Sequence, residues 1–265
     1  MEEIDNCFPF VHVPRLPGKP RSRGLTTISD ADLSIQEARN LVESSGELID
    51  YIKLTGHAAL IARYPVDWIK AKLDIYHANQ IKVLPSGASF EVAAIQNQAR
   101  PYMQRARELG FDSVEISDGL IPLLPAEVRI SYIKFAKEIG LEPFTEVGRK
   151  NPTTPLDVDE TIATIRRDLE AGAKKVTIEN SDVALLMKTD PTPICRIVEA
   201  IGIEHLVFEV GPNAWPEMTV WVIRSFGPEI NLENVRPAQV SILDGMRRGM
   251  HRFNFDFITV HGGKV

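Results

Sequence analysis

Short apolar runs alternate with longer segments of helical periodicity along most of this chain. Each run has the length of one strand, and each following segment repeats its apolar residues about every 3.6 positions, as amphipathic helices do. The predicted strands occupy residues 24–30, 48–56, 81–87, 112–119, 142–148, 174–180, 205–211 and 229–235. The predicted helices occupy residues 34–46, 66–80, 90–110, 126–140, 157–172, 183–202, 216–227 and 238–250. We expect a kink or break at Pro101 and an interruption around Pro191 and Pro193.

Strict alternation of strands and helices predicts parallel strands joined by crossover helices. Eight such units fit an α/β fold of the (β/α)8 TIM-barrel type, in a single domain of residues 23–250. A doubly wound open sheet is the alternative, although no Gly-x-Gly-x-x-Gly motif follows the first strand.

The two ends of the chain fall outside this alternation. Residues 1–22 are predicted to form an N-terminal extended arm on the surface or on a neighbouring molecule. Residues 251–265 are predicted to form a C-terminal tail that adds a strand or an oligomer contact, so we expect a homo-oligomer. A poorly ordered terminus is the alternative for both segments.

Composition excludes several classes of protein. The 265 residues are 44% hydrophobic, which suffices for a large core, and the net charge of -6 gives no basic footprint for nucleic acid. No apolar run approaches the roughly 20 residues that span a bilayer, and the N-terminus lacks the order of a secretory signal. The two cysteines, Cys7 and Cys195, form neither a disulfide framework nor a metal spacing. We therefore expect a cytoplasmic protein without nucleic-acid or membrane partners.

Four consecutive predicted strands each contain one glutamate near the C-terminal end. Side chains alternate along a strand, and the bulky apolar set of each strand should face the helices. The glutamates then point into the barrel near its C-terminal mouth, where barrel enzymes have their active sites. Lys53 on strand two and Asn231 on strand eight also point inward by this rule. The glutamates are Glu115, Glu146, Glu179 and Glu209.

Carboxylates crowded in a low dielectric repel one another strongly. A divalent cation, Lys53 or shifted pKa values must relieve this repulsion. A ligand set made only of oxygen favours Mg²⁺ over zinc. A ring of ion pairs without chemistry is the alternative. Lys53 itself can act as a general acid, as a phosphate or carboxylate contact, or as a Schiff-base former.

Candidate anion contacts lie elsewhere in the chain. The third helix opens at residues 89–91, where free backbone N–H groups can hold an anion, and Glu91 there reads as a first-turn acid. Arg23 precedes strand one. Arg247 and Arg248 are either anion contacts or residues that stabilise the C-terminus of the last helix. His57 is either a site residue or a loop histidine.

Several sequence strings together resemble the phosphosulfolactate synthase family, which includes archaeal enzymes of coenzyme M synthesis and related plant heat-stress-associated proteins. The most discriminating pair is VEISDG at 114–119 followed by TEVGRK at 145–150. Further matches are RGLT (23–26), YIKLTG (51–56), LPSGASFE (84–91), DLEAGAKKVTIE (168–179), VFEVGP (207–212), INLENV (230–235) and LDGMRRG (243–249).

The resemblance implies a (β/α)8 barrel and, for the enzymes, Mg²⁺-dependent addition of sulfite to phosphoenolpyruvate, giving (2R)-phospho-3-sulfolactate. With it we predict catalytic roles for Lys53, Glu115, Glu146, Lys150 and Glu209. Lys53 is the first candidate for proton donor or carboxylate partner, and Lys150 is the second. The predicted Mg²⁺ ligands are Glu115, Glu146 and Glu179, with Glu209 and Asp118 in reserve. The predicted substrate-binding residues are Arg23, Ser86, Gly87, Glu91, Ser117, Asp118, Gly211 and Asn231.

The loops after strands two, six and seven match the family pattern less well than the strands do. Two further functions therefore stay open beside the synthase. One is a barrel enzyme acting on another small phosphorylated or carboxylate substrate, and the other is a non-enzymatic stress-associated protein. In the first two cases the expected partner is a small anionic substrate.

Overall fold

The computed structural model describes residues 8–11, 13–54, 59–211 and 214–255. Parts of the predicted arm (1–7 and 12), the segment 55–58 with His57, and most of the predicted tail (256–265) lie outside the described residues. The predicted division into arm, barrel and tail stays a prediction.

The predicted parallel barrel is confirmed. Strands β1 and β2 pair in parallel, as do β1 and β8, so the chain's first and last strands are neighbours. At the remaining seam, the Asp112 N–H donates to the Val83 carbonyl at 3.0 Å. This nearly closed cylinder excludes the open doubly wound sheet. The strands are β1 Thr26–Asp30, β2 Tyr51–Leu54, β3 Lys82–Pro85, β4 Ser113–Ile116, β5 Glu142–Val147, β6 Lys175–Ile178, β7 Leu206–Glu209 and β8 Asn231–Val235.

Helices surround the strands in the predicted alternation. They are α1 Ile35–Ser45, α2 Ala59–Arg63, α3 Val66–His77, α4 Gly87–Ala94, α5 Ala99–Leu109, α6 Ala126–Glu138, α7 Val158–Ala171, α8 Asn180–Thr189, α9 Thr192–Ile201, α10 Glu217–Phe226 and α11 Val240–Arg247. No helix within the described ranges combines the length and the apolar character needed to cross a membrane.

Two proline predictions had different outcomes. The interruption around Pro191 and Pro193 is confirmed, because α8 ends at Thr189 and α9 begins at Thr192. The break predicted at Pro101 is wrong. The chain turns between α4 and α5, where Asn97 adopts a φ of 58°. Pro101 lies in the first turn of α5, where a missing N–H leaves no helical hydrogen bond unmade.

An apolar layer fills the amino-terminal half of the barrel interior. It consists of Leu25, Tyr51, Leu84, Phe144 and Val207, all buried. The Tyr51 and Phe144 rings meet edge to face with centroids 5.2 Å apart. Polar side chains further along the same strands therefore lie above a closed apolar floor, at the carboxyl ends of the strands.

The described part of the predicted arm runs across the opposite, amino-terminal end of the barrel. The Lys19 ammonium donates to the Gly46 carbonyl at 2.7 Å. The Arg21 guanidinium pairs with Asp50, just before β2, at 2.9 Å. These contacts place the arm's second half beside the start of β2, away from the carboxyl ends of the strands.

Candidate active site

Lys53 connects three strands inside the barrel. Its ammonium donates to Glu115 Oε1 on β4 at 2.8 Å and to Glu233 Oε1 on β8 at 3.2 Å. The three side chains are almost completely buried. Contacts from β2 to β4 and β8 are possible only across the interior, so the predicted inward orientation of Lys53 and Glu115 is confirmed.

Lys150 makes the corresponding contacts on the other side of the mouth. It follows β5 and donates to Glu146 at 3.3 Å, to Glu209 at 3.2 Å and to Glu179 through a short hydrogen bond. Lys150 is half-buried, whereas its three partners are buried. The four glutamates predicted to converge at the mouth do so, and they face two lysines.

Glu146 lies between two groups of carboxylates that can each hold a cation. One group is Glu115, Glu146 and Glu233, and the other is Glu146, Glu179 and Glu209. In each group one oxygen per residue lies within 4.8 Å of the others. Glu146 Oε1 is buried, accepts no hydrogen bond among the described residues, and lies 3.3 Å from the Lys150 ammonium. An all-carboxylate donor set with a buried oxygen that accepts no hydrogen bond fits a hard cation such as the predicted Mg²⁺.

The carboxylates perturb one another's protonation. Burial, opposed by Lys150 and reinforced by the neighbouring glutamates, raises the pKa of Glu146 well above its usual range. Burial and Glu209 raise the pKa of Glu179 to about 8. Burial, opposed mainly by Lys53, raises the pKa of Glu233 to about 7. Burial acts on Glu209 as well, but Lys150, the hydrogen bond with Glu179 and the charge of Lys53 together outweigh burial and lower the pKa of Glu209. Without a bound cation, part of this group is therefore protonated near neutral pH.

Both lysines stay charged in this setting. Burial alone would lower the pKa of Lys53, but the charges of the surrounding glutamates, Glu115 and Glu233 first, together outweigh burial and raise it. At Lys150, too, burial lowers the pKa and neighbouring carboxylates raise it. The net effect is a raised pKa, because Glu146, Glu209 and Glu179 surround the ammonium. The mouth therefore holds two fixed positive charges beside a surplus of acidic groups.

The N-terminus of α4 points at this site, but a protein group already uses its first N–H. The Gly87 N–H donates to Glu115 Oε2 at 2.7 Å. A Cβ on Gly87 would lie 2.6 Å from that oxygen and 2.5 Å from Ser117 Oγ, so only glycine fits. Ser86, the residue before the helix, shares a hydrogen bond with Ser89 at 3.2 Å. Ser86 and Gly87 thus lie at the mouth as predicted, and Gly87 orients a glutamate there.

Glu91 holds the loop after β4 in place. Its carboxylate accepts from Ser117 Oγ at 2.6 Å, from the Gly119 N–H at 3.0 Å and from the Leu120 N–H at 2.9 Å. Both oxygens are engaged and the side chain is 2% exposed. The structure thus gives Glu91 and Ser117 a positioning role, and their predicted substrate contact stays a prediction.

Asp118 and Gly211 also contact protein groups near the mouth. Asp118 accepts from the Leu124 N–H at 2.9 Å and lies 3.5 Å from the Arg129 guanidinium. The Gly211 carbonyl accepts a short hydrogen bond from the Asn180 amide. A Cβ on Gly211 would lie 2.3 Å from the Asn234 carbonyl oxygen in β8, so close backbone approach explains this glycine.

The predicted placement of Arg23 and Asn231 at the site is wrong. Arg23 is exposed and pairs with Glu229, the two residues preceding β1 and β8 respectively, at 3.1 Å. Asn231 opens β8 and bonds backbone groups there, accepting from the Leu25 N–H at 3.1 Å and donating to the Leu206 carbonyl at 2.8 Å. In parallel strands these positions share the amino-terminal end, opposite the glutamates.

Glu233 is the site residue that the sequence reasoning missed. Asn231 was placed inside the barrel, and strand alternation puts Glu233, two residues later, on the same face and closer to the mouth. The signal was therefore present in the INLENV string. It differs from the other four because the glutamate is followed by two further strand residues, Asn234 and Val235.

Comparison with known proteins identifies the family. A profile described as (2R)-phospho-3-sulfolactate synthase (ComA) matches residues 14–252. Phosphosulfolactate synthase from Methanocaldococcus jannaschii is 32% identical over 88% of this chain and 94% of its own length. The Methanothermobacter thermautotrophicus protein of the same name is 29% identical over 92% of this chain and 96% of its own.

A plant relative and a solved structure extend the comparison. Protein HEAT-STRESS-ASSOCIATED 32 from Arabidopsis thaliana is 25% identical over 89% of each chain. The crystal structure of 3-hexulose-6-phosphate synthase from Salmonella typhimurium covers 84% of this chain and 99% of its own, with a TM-score of 0.56 and 16% identity, which is a likeness of fold. The predicted resemblance is confirmed: this chain belongs to the (2R)-phospho-3-sulfolactate synthase (ComA) family.

Proposed function

We propose that this protein is an enzyme that adds sulfite to phosphoenolpyruvate in a Mg²⁺-dependent reaction, giving (2R)-phospho-3-sulfolactate. The observation that supports it is the pair of carboxylate groups that share Glu146, set between Lys53 and Lys150 at the mouth of a ComA-family barrel. Buried carboxylates suited to a divalent cation, beside two ammonium groups, suit a reaction between two anions.

The reaction builds negative charge on the substrate. The sulfur lone pair attacks C3 of phosphoenolpyruvate, and the electron pair of the C2=C3 bond moves towards the substrate carboxylate. A proton then adds to C2, so no redox partner or leaving group is needed. The predicted ligands Glu115 and Glu179 fall in different groups that share Glu146. A Mg²⁺ held by Glu146 with Glu115 and Glu233, or by Glu146 with Glu179 and Glu209, would supply positive charge next to the developing enediolate.

Lys53 is the first candidate for the proton donor. It is buried, stays protonated beside Glu115 and Glu233, and lies at the centre of the mouth. When a ligand neutralises those carboxylates, the charge that holds the proton on Lys53 falls and proton delivery becomes easier. Lys150 is half-buried and is the second candidate, or a contact for an anionic group of the substrate.

The test is a direct assay of the purified chain. We expect ³¹P NMR to show a new phosphate ester only when phosphoenolpyruvate, sulfite and Mg²⁺ are all present. Glu146→Gln should lower turnover by roughly 100-fold or more, the order of loss when a charge-stabilising group is removed. Glu138→Gln, an exposed glutamate on α6, is the control and should keep wild-type turnover. Absence of product from folded wild-type protein across a range of sulfite concentrations would overturn the proposal.

One observation favours a second candidate, a barrel enzyme with another small phosphorylated or carboxylate substrate. Arg23 and Asn231 lie at the opposite end of the barrel, and Gly87 donates to Glu115, so three predicted anion contacts are used elsewhere. This candidate predicts Mg²⁺-dependent thermal stabilisation by a different phosphorylated or carboxylic acid, lost in Glu146→Gln. Stabilisation by phosphoenolpyruvate alone among the acids would decide for the synthase.

A further inference from the structure

A polar cavity lies at the amino-terminal end of the barrel, on the other side of the apolar floor from the glutamates. Its volume is about 440 Å³. Glu204 is the single carboxylate among its lining residues, while most of the polar lining is basic. The residues relevant here are Arg21, Arg23, Tyr51, Lys174, Lys175 and His205.

Lys175 is the central group of this cavity. It opens β6, lies on the same inward face as Thr177 two residues later, and is only 7% exposed. Its ammonium donates to the Glu204 carbonyl, and no carboxylate in the described part of the chain forms an ion pair with it. Burial, reinforced by the adjacent Lys174 and opposed by the more distant Glu204 carboxylate, lowers its pKa. A buried ammonium with three donors is thus left with one neutral acceptor.

Arg247 is a second buried cation behind the same cavity. Its guanidinium donates to the Ile230 carbonyl at 2.7 Å, to the Leu25 carbonyl at 3.3 Å and, through a short bond, to the Pro228 carbonyl. Its Nε is buried without a partner among the described residues. Burial, then the nearby Arg21, lowers the pKa of Arg247 to about 10. The Arg247 predicted as an anion contact therefore lies at this end of the barrel.

The other basic side chains are held around the opening by ion pairs. Arg21 pairs with Asp50 at 2.9 Å, and the exposed Arg23 pairs with Glu229 at 3.1 Å. Lys174 pairs with Glu142 at 2.5 Å. Their positions are fixed before any ligand arrives, which lowers the entropic cost of binding.

We propose that this cavity binds a small anion of the phosphate or sulfate class. Burying a cation without a counter-charge is costly, and Lys175 and Arg247 both lie buried without a carboxylate partner among the described residues. An anion with several oxygens would give the Lys175 ammonium the acceptors it lacks, with Arg23 and His205 at the rim. The apolar floor separates this site from the glutamates, so the inference does not depend on the proposed reaction.

The test measures pyrophosphate binding to the full chain by calorimetry, without Mg²⁺ and at fixed ionic strength. Lys175→Met and Arg23→Gln should each weaken binding by about tenfold, the loss of one charge-assisted hydrogen bond. Lys134→Met removes an exposed cation on α6, is the charge-matched control, and should leave the affinity unchanged.

Thermal unfolding without ligand separates lost binding from lost folding. Lys175→Met replaces a buried cation by an apolar chain of similar length and should not lower the melting temperature. If it folds poorly nonetheless, the exposed Arg23→Gln variant decides. The inference is overturned if the wild type does not bind pyrophosphate, or if Arg23→Gln and any folded Lys175→Met protein bind it like wild type.

Discussion

Lys53 donates hydrogen bonds to two of the five buried glutamates at the mouth, and Lys150 donates to the other three. Each ammonium group reduces the electrostatic repulsion between the carboxylates that it contacts. The two positive charges do not balance the group, so protons or a bound cation must supply the difference. Glu233 is an example of a carboxylate that holds a proton near neutral pH. Burial raises its pKa to about 7 even though Lys53 opposes the shift.

We expect Glu233→Gln to weaken Mg²⁺ binding by about tenfold or more, because it removes one negative charge from the group that includes Glu115 and Glu146. The amide keeps the shape and still accepts from Lys53, so folding should be retained. Calorimetric titration with Mg²⁺ measures the effect, with Glu138→Gln as the control. An unchanged affinity would show that Glu233 acts on Lys53 alone.

At the scale of elements, the site depends on how closely helix α4 approaches strand β4. The first N–H of α4 holds Glu115, and Glu91 in the same helix holds the loop after β4 through three hydrogen bonds. One short helix therefore fixes both a candidate metal ligand and the loop that contains Asp118. Gly87 is the point of closest approach.

Gly87→Ala should destabilise the protein by about 1–3 kcal/mol, the usual cost of forcing an added methyl group into a packed site. It should also reduce Mg²⁺ affinity, since the new Cβ displaces Glu115. Gly46→Ala is a matched control, because its φ of -58° suits alanine and its Cβ would meet only ordinary contacts, the nearest at 3.6 Å. Denaturant unfolding compares the two variants, and equal stabilities would contradict the close approach.

At the scale of the whole molecule, the apolar floor divides the barrel into an acidic mouth and a basic opposite end. Leu25, Tyr51, Leu84, Phe144 and Val207 separate the two. Lys175, which forms no ion pair among the described residues, and the surplus of carboxylates thus lie at opposite ends of the barrel. Protonation of the acidic mouth should therefore change the stability of the entire barrel, because the strands that bear the glutamates are also its core.

Stability of the metal-free protein should fall as pH rises from about 5.5 to about 8.5. Burial raises the pKa of Glu233 to about 7 and that of Glu179 to about 8, whereas an unfolded glutamate titrates near about 4.3. Over this range the folded state keeps protons that the unfolded state has lost, so deprotonation destabilises the fold. Glu142 and Glu209 have lowered pKa values and are already ionised at the start of this range. Their contribution to the free energy of unfolding is therefore constant across it.

Melting temperatures in the presence of a chelator measure this dependence. Added Mg²⁺ should raise the melting temperature more at the alkaline end than at the acidic end, because the cation replaces the missing protons. A melting temperature of the chelated protein that rises with pH across this interval would contradict the charge surplus at the mouth.

Strand alternation predicted much of the site and failed in identifiable places. Glu115, Glu146, Glu179, Glu209 and Lys53 all lie where the alternation placed them. Arg23 and Asn231 were predicted as substrate contacts, but Arg23 precedes β1 and Asn231 is the first residue of β8. In a parallel barrel the start of a strand lies at the end opposite the mouth. The roles of Gly87 and Glu91 were out of reach, because both depend on contacts between segments 26 to 29 residues apart.

The sequence by itself determined the order of strands and helices, the parallel barrel and the end at which the glutamates gather. Those properties follow from local periodicity, and periodicity is readable without coordinates. Only the tertiary structure decided which lysine neutralises which carboxylates, that Glu146 belongs to two groups, and that Lys175 and Arg247 are buried at the far end without carboxylate partners in the described chain. Each of these depends on distances across the barrel, set by the packing of strands that are remote in sequence.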